Sequence, residues 1–161
     1  MAVTTYWYAK AFISAFGTAS MDLTGETKVG IMLTSNSYTP NQDTHDFHDD
    51  VTNELATANG YTQLGATGAG KILTTTALTN TLNVVYWDTD SPQWTSSGAG
   101  FTARRAVIAD CTSGVTTTNP LIVWTDFGQD ETASGGGTFT INVHASGWFS
   151  ITATDATGFP A

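Results

Sequence analysis

The sequence contains little charge, and most of that charge is negative. Charged residues make up 12% of its 161 residues, about half the usual share. Fourteen acidic residues against five lysines and arginines give a net charge of −9. Binding to nucleic acid or to an anionic membrane surface requires a basic cluster, and the sequence has none. We therefore expect neither nucleic acid nor membrane among its partners.

Cysteine and long apolar runs are also scarce. Cys111 is the only cysteine, so the chain can form neither an intramolecular disulfide nor a cysteine-based metal site. We expect it at a strand end, as a small apolar residue. No apolar run approaches the ~20 residues that span a membrane, and no basic segment followed by an apolar one predicts a secretory signal. We expect the chain to be made and folded in a cytoplasm.

Thr, Ser, Asn and Gly supply the polarity instead, and this composition favours β-structure. In "TFTINVH", Phe139, Ile141 and Val143 share one face, which is typical of a half-buried antiparallel strand. Val29, Ile31 and Leu33 alternate in the same way. Further strands are predicted over these ranges: Lys71 to Leu78, Leu82 to Asp88, Thr102 to Asp110, Leu121 to Asp126, Thr138 to His144 and Trp148 to Thr154.

The spacing of these strands predicts one mainly β domain over residues 1–161. We expect an antiparallel β-sandwich, jelly-roll-like in topology, with a tight hairpin at Ser146-Gly147 and a loop at "GQDETASGGG". Within the N-terminal arm, residues 1–17, aromatic residues at helical spacing favour one short helix, although their density also allows a strand.

A long polar loop is predicted over residues 34–60. Pro40 excludes a central strand there, and one helical turn is expected near Thr44 to Asp50.

A partial phosphate-binding motif, "GATGAGK", lies at Gly65 to Lys71. The motif requires Ser or Thr after its Lys, to bind Mg²⁺, and a helix beyond it. Here Ile72 follows, and the next residues favour a strand. We interpret the stretch as a glycine-rich loop that leads into a strand.

The densest cluster of ionisable residues is "DTHDFHDDVTNE", which contains His45, His48 and five acids. Carboxylates suit Ca²⁺ and histidines suit Zn²⁺ or Ni²⁺, but the spacing fits neither an EF-hand nor H-E-x-x-H. We favour a capped surface turn with solvated charges and predict no metal. The weak metal candidates are Asp43, Asp46, Asp49 and Asp50.

No motif of this sequence supports catalysis. No serine stands in a nucleophile-elbow context. Any sequence with one cysteine and a histidine offers a nominal Cys–His pair, so Cys111 and His144 indicate no nucleophile. Asp88 and Asp90, a nominal carboxylate pair for glycoside chemistry, fall at a predicted strand end and turn. We expect no enzymatic activity and no cofactor.

The tryptophans divide into two groups. Trp87, Trp124 and Trp148 lie in predicted strands and are expected in the core. Trp7 lies near the terminus and Trp94 in a predicted loop, where aromatic side chains favour an interface with a partner.

In order, nearly the whole chain resembles a family of small structural proteins of tailed bacteriophages. The matching segments are "YAKA", "KVGIMLTS", "YTPNQDTHDF", "DVTNE", "GYT", "RRAVIAD", "PLIVWTDFG", "GTFTI" and "GWFSIT". The "GATGAGK" stretch departs from the family, in which a plainer turn is expected.

The resemblance implies a non-enzymatic virion protein, most simply a capsid decoration or cement protein that docks on the major capsid shell as a homo-oligomer. The alternatives are a tail, neck or head-fibre component, or a carbohydrate-binding β-sandwich that recognises a host surface. Arg104 and Arg105 are expected on opposite strand faces, so that one can pair with the acidic loop of a neighbour. The expected partner contacts are Tyr6, Trp7, Tyr8, Tyr38, Pro40, His45, Phe47, Trp94, Arg104 and Arg105.

Overall fold

The computed structural model describes residues 3–13, 21–24 and 28–152, and most of them form antiparallel β-structure. Among these residues, no helix is long and apolar enough to cross a membrane. The strands and the single α-helix are, in chain order, β1 (Thr4–Trp7), α1 (Ala9–Ile13), β2 (Val29–Thr34), β3 (Lys71–Ile72), β4 (Ala77–Thr81), β5 (Val84–Asp88), β6 (Gln93–Thr95), β7 (Phe101–Asp110), β8 (Leu121–Ala133), β9 (Thr138–Thr140) and β10 (Phe149–Thr152).

The described strands form three sheets. The largest has the order β1-β8-β7-β2-β3, the second the order β10-β5-β4, and the third pairs β6 with β9. The prediction of a mainly β, antiparallel β-sandwich with one short helix near the N-terminus is confirmed. Sheets of five, three and two strands differ from the two Greek-key sheets that define a regular jelly roll.

Strand β2 lies at the centre of the fold and is buried along its whole length. Val29, Ile31 and Leu33 alternate as predicted and join the main core, between the five-stranded sheet and the two smaller sheets. Met32 points to the opposite face and joins a second core. The five-stranded sheet is therefore covered on both faces.

The main core contains two of the three tryptophans that were predicted there. Trp87 is fully buried, and its indole N–H donates to the Leu23 carbonyl at 2.8 Å. Trp148 is buried and donates to the Thr89 hydroxyl at 2.9 Å. Trp124 is only half-buried, because it lies on the other face of β8 and stacks on Tyr6.

The second core is closed by the N-terminal segment and the long polar loop. It contains Tyr8, Met32, Tyr38 and Leu64, all of them fully buried. A 3₁₀ turn at His48–Asp50 lies within the predicted helical turn of the loop. The N-terminal helix starts at Ala9, because Tyr6 and Trp7 belong to β1; residues 14–17 of the predicted arm lie outside the described residues.

Several strand lengths depart from the predictions; β9, for example, ends at Thr140 rather than at His144. Strand β8 continues to Ala133, through residues expected as a loop, because it pairs with the start of the long strand β7 at Phe101. The predicted strand from Lys71 to Leu78 divides into β3 and β4 around Thr75, whose φ is 54°.

The hairpin predicted at Ser146-Gly147 is wrong. A turn does form there, since the Gly147 N–H donates to the His144 carbonyl at 2.7 Å. The strands before and after it belong to different sheets, because β9 pairs with β6 and β10 pairs with β5. The residues between β9 and the turn belong to no strand, but the Ile141 N–H donates to the Pro92 carbonyl and the Val143 N–H to the Ser91 hydroxyl, both at 3.1 Å.

The phosphate-like motif is a turn that leads into a strand, as expected. Residues 65–68 form the turn, and Lys71 begins β3 rather than a helix. The Lys71 ammonium lies 5.6 Å from the centre of the Trp94 ring, which is within range of a cation–π contact.

Gly30 is required by the packing of the second core. A Cβ at this position would overlap the end of the Leu64 side chain, which is fully buried, so the leucine would have to shift within the core. We expect Gly30→Ala to lower the free energy of unfolding by about 1–3 kcal/mol through overpacking. Urea denaturation measures the change.

The Leu64→Ala variant provides the control, because it leaves a cavity where the new methyl group would fit. Alone it should cost about 2–5 kcal/mol. The double variant should lose clearly less than the sum of the two single changes. Additive losses would show that Gly30 and Leu64 are not coupled.

Candidate docking surface

The two segments that were expected to contact a partner are brought together on one side of the five-stranded sheet. The Gln42 side-chain amide donates to the Trp7 carbonyl at 2.6 Å, and the Ala9 N–H donates to the Gln42 carbonyl at 3.0 Å. Lys10 and Asp46 form an ion pair at 2.9 Å. Strand β1 and the polar loop therefore present one continuous surface, which we call the N-terminal face and define as residues 3–10 with residues 38–47.

A chain of hydroxyl groups fixes this face from beneath. The hydroxyls of Tyr8 and Tyr38 lie 2.8 Å apart, and the Tyr38 hydroxyl lies 3.0 Å from His45 Nδ1. Burial raises the pKa of Tyr38 to about 12 and raises that of Tyr8 further, so both phenols are neutral at ordinary pH. Tyr8 and Tyr38 were predicted as partner contacts. That prediction is wrong, because both side chains are fully buried in the second core.

Tyr6 is the most exposed aromatic residue of the N-terminal face. It is 38% exposed, and its ring stacks on Trp124 with 4.4 Å between centroids and an interplanar angle of 20°. Trp7 is half-buried against Phe149, at 3.8 Å between centroids. Three other predicted contact residues of this face are half-buried, and they are Pro40, His45 and Phe47.

The prediction for Trp94 is wrong. It lies in β6 rather than in a loop, and it is 4% exposed. Its ring packs edge-on against Phe139 at 5.9 Å and tilted against Tyr61 at 6.4 Å, within the main core. The short strand turns Trp94 inward while Gln93 and Thr95 face solvent, an alternation that three residues are too short to reveal.

Arg104 and Arg105 do not extend from opposite faces toward a neighbour, as had been expected. The register of β7 against β8 shifts between Ala103 and Arg105, so both guanidinium groups reach Asp126. Arg104 Nε lies 2.8 Å from one carboxylate oxygen and Arg105 Nε 3.2 Å from the other. In a regular strand the two arginine side chains would point to opposite faces, but the irregularity lets both bind the Asp126 carboxylate. We call this arrangement of Arg104, Arg105 and Asp126 the clamp.

The clamp also anchors the polar loop to the sheet. Arg105 Nη1 donates to the Tyr38 carbonyl at 2.6 Å. Burial acts to raise the pKa of Asp126, but the Gly128 N–H and the two guanidinium groups outweigh it and hold that pKa below its usual range.

The acidic segment does not assemble into a metal site. In the part of the chain that the structure describes, no three His, Cys, Asp or Glu side chains are placed to share a metal ion. Asp46 is paired with Lys10, and Asp50 Oδ2 accepts the backbone N–H groups of Asp46 and Phe47 at 2.8 and 3.1 Å. Asp43 and Asp49 are exposed. The carboxylates order the turn, as in the capped-turn interpretation.

A cleft of about 500 Å³ separates β3 from β6. Lys71 is the only ionisable residue that lines it, beside Thr62, Gln93 and Trp94. A second ionisable group for proton transfer is absent from these lining residues, so the cleft shows no acid–base pair.

Sequence reasoning missed one exposed surface, the sheet of β4, β5 and β10. Three large apolar side chains are exposed on it: Leu78 at 45%, Leu82 at 91% and Ile151 at 40%. One sequence signal could have found it, because no charged residue occurs between Lys71 and Asp88. Residues 55–70 and 132–154 also lack Asp, Glu, Lys and Arg, so what distinguishes this stretch is that it also presents exposed leucines.

The clamp on Asp126 predicts a specific dependence of stability on pH. Because the folded-state pKa of Asp126 is depressed, its contribution is present above the unfolded value near 3.9 and is lost as pH falls through the folded value. We expect Asp126→Asn to be less stable by about 1–3 kcal/mol at pH 7 and to lose less stability below pH 4. Denaturation curves from pH 2.5 to 7 test this. An unchanged pH profile would contradict a role for the ionised carboxylate.

Comparisons with known proteins found no match to this chain. No family model, no curated protein and no solved structure matches the chain.

Proposed function

We propose that this protein is a non-enzymatic structural component of a tailed-bacteriophage virion, a capsid decoration or cement protein that docks on the major capsid shell and stabilises it. Two lines of support meet in this proposal. The sequence resembles phage structural proteins over nearly its whole length. The fold is a small antiparallel β-sandwich that carries its conspicuous aromatic and polar segments on one face.

The observation that carries the proposal is the way in which the N-terminal face is held. Strand β1 and the loop around Gln42 lie over thirty residues apart in sequence, yet they are joined by backbone and side-chain hydrogen bonds and by the Lys10–Asp46 ion pair. The buried Tyr8–Tyr38 pair holds the same loop from below. A surface fixed in this way loses little conformational entropy when it binds.

A protein of this kind stabilises a shell through mass action. Because it binds the assembled shell and not the separated subunits, each bound copy shifts the equilibrium toward the assembled state. Many copies in symmetric positions add their weak contacts into a strong total effect. The expected partner is the major capsid protein or another virion protein, and the expected location is the virion, after synthesis in the host cytoplasm.

Co-sedimentation with phage heads that lack the protein tests the proposal. Purified protein is mixed with expanded heads, unexpanded heads and isolated tails, and an array of glycans is probed in parallel. Saturable binding to expanded heads is the expected result. Binding to tails alone would identify a tail component, binding to glycans alone a carbohydrate-binding protein, and either result would overturn the decoration role.

Tyr6 is the residue whose change should weaken docking without unfolding the protein. We expect Tyr6→Ala to bind heads about 10-fold more weakly, since an exposed aromatic residue at the centre of a contact contributes over 1 kcal/mol. Tyr6→Phe should retain most of the affinity. Ser97→Ala is the control, because it changes an exposed residue just after β6, a strand that packs on the other side of the five-stranded sheet. Equal binding by all variants would exclude the N-terminal face as the docking surface.

A further inference from the structure

Strand β4 is an edge strand with none of the features that usually protect an edge. Among the described residues it is the last strand of the three-stranded sheet and pairs only with β5. Its sequence, "ALTNT", contains no charge and no proline, and four of its five residues are exposed. Natural edge strands usually carry a lysine, a proline or a bulge that prevents pairing with another chain. The described register of β4 with β5 contains no bulge.

The hairpin geometry determines which backbone groups of β4 are open. Leu82 and Asn83, with φ of 50° and 66°, form a two-residue turn, as in a type I′ hairpin. The pair that closes such a turn, Thr81 and Val84, exchanges hydrogen bonds between the strands. By alternation, Thr79 also bonds to β5, while the N–H and C=O groups of Leu78 and Asn80 point away from the sheet.

The side chains of this edge carry both halves of a self-complementary contact. Leu78 is 45% exposed on the strand, and Leu82 is 91% exposed at the turn. Asn80 lies midway between them. If two β4 strands run antiparallel about a two-fold axis at Asn80, Leu78 of each copy lies beside Leu82 of the other. The same register brings the outward N–H and C=O groups of the two Asn80 residues together, as an antiparallel pair requires.

The charge of the molecule favours a second copy at this position. Two chains of net charge −9 repel each other, so contact is favoured where acidic side chains lie away from the axis. The acid of this sheet, Asp88, lies across from Ala77, at the end of β4 that is remote from the turn. Residues 72–87, which include β4, the turn and most of β5, contain no charged residue of either sign.

We propose that β4 pairs antiparallel with β4 of a second copy about a two-fold axis at Asn80, joining two three-stranded sheets into one of six strands. The contact places Leu78 of each copy beside the turn residue Leu82 of the other, and it pairs the outward backbone groups of the two Asn80 residues. This pairing does not depend on the proposed function, because it uses residues outside the N-terminal face and can form between free molecules without a capsid shell. A contact of this size is weak between two free molecules. Its affinity would rise if both copies were held at neighbouring positions on a particle, because their effective concentration would be higher.

A charge-exchange experiment tests the register. Asn80→Lys and Asn80→Glu each place like charges directly opposite one another across the proposed axis, which destabilises an antiparallel pair. Each variant alone should dimerise at least about fivefold more weakly than the wild type in sedimentation equilibrium at low salt. An equimolar mixture should recover the affinity as a heterodimer. Thr117→Lys adds the same charge outside the sheet and should leave dimerisation unchanged.

Amide hydrogen exchange gives a second measurement that does not use variants. The amides of Leu78 and Asn80 should exchange more slowly as protein concentration rises, while that of Thr79, bonded within its own hairpin, should not change. A wild-type protein that stays monomeric to millimolar concentration would overturn the proposal, as would a dimer that both Asn80 variants leave intact.

Binding to phage heads is measured separately from dimerisation, so the two proposals can fail independently. Wild-type protein that binds heads but shows no β4 dimer would refute the pairing and leave the decoration role standing. A β4 dimer that binds no head would refute the decoration role alone.

Discussion

The burial of β2 on both faces is the constraint on which the rest of the structure depends. Its six residues are all inaccessible to solvent, so the five-stranded sheet needs a cover on each side. The smaller sheets provide one cover with an apolar interior that contains Trp87 and Phe139. The other cover is made by α1 and a long loop, and irregular backbone can occupy such a position only if its polar groups find partners.

The loop meets that requirement with side chains that reach the sheet. Glu54 accepts hydrogen bonds from the Tyr61 hydroxyl and the Leu64 N–H, both at 2.7 Å, and the Tyr61 hydroxyl accepts the Leu33 N–H of β2 at 2.9 Å. Burial raises the pKa of Glu54 and outweighs these hydrogen bonds. The buried polar groups of the loop are therefore paired within the fold, while its remaining polar residues face solvent. The segment is hydrophilic in sequence, yet in the fold it covers one face of the five-stranded sheet.

The sequence predicts the parts of this fold that depend on local periodicity. Alternation found β2 and most of β7, and the missing Ser or Thr after Lys71 excluded a phosphate loop. Pairing over long distances is invisible to such reasoning, so the extension of β8 and the separate partners of β9 and β10 were missed. The candidate site follows the same division. Tyr6 is exposed, as a contact residue must be, whereas the burial of Tyr38 and Trp94 and the joint reach of two arginines to Asp126 depend on tertiary contacts and a strand irregularity.

The single thiol of the chain lies within the second core. Cys111 is fully buried beside Met32 and Leu64, and burial, with the nearby Asp110 carboxylate, raises its pKa to about 12. The reactive thiolate is therefore almost absent in the folded protein, and reagents reach the sulfur only when the second core opens. The rate at which a thiol reagent labels Cys111 therefore reports how often the second core opens.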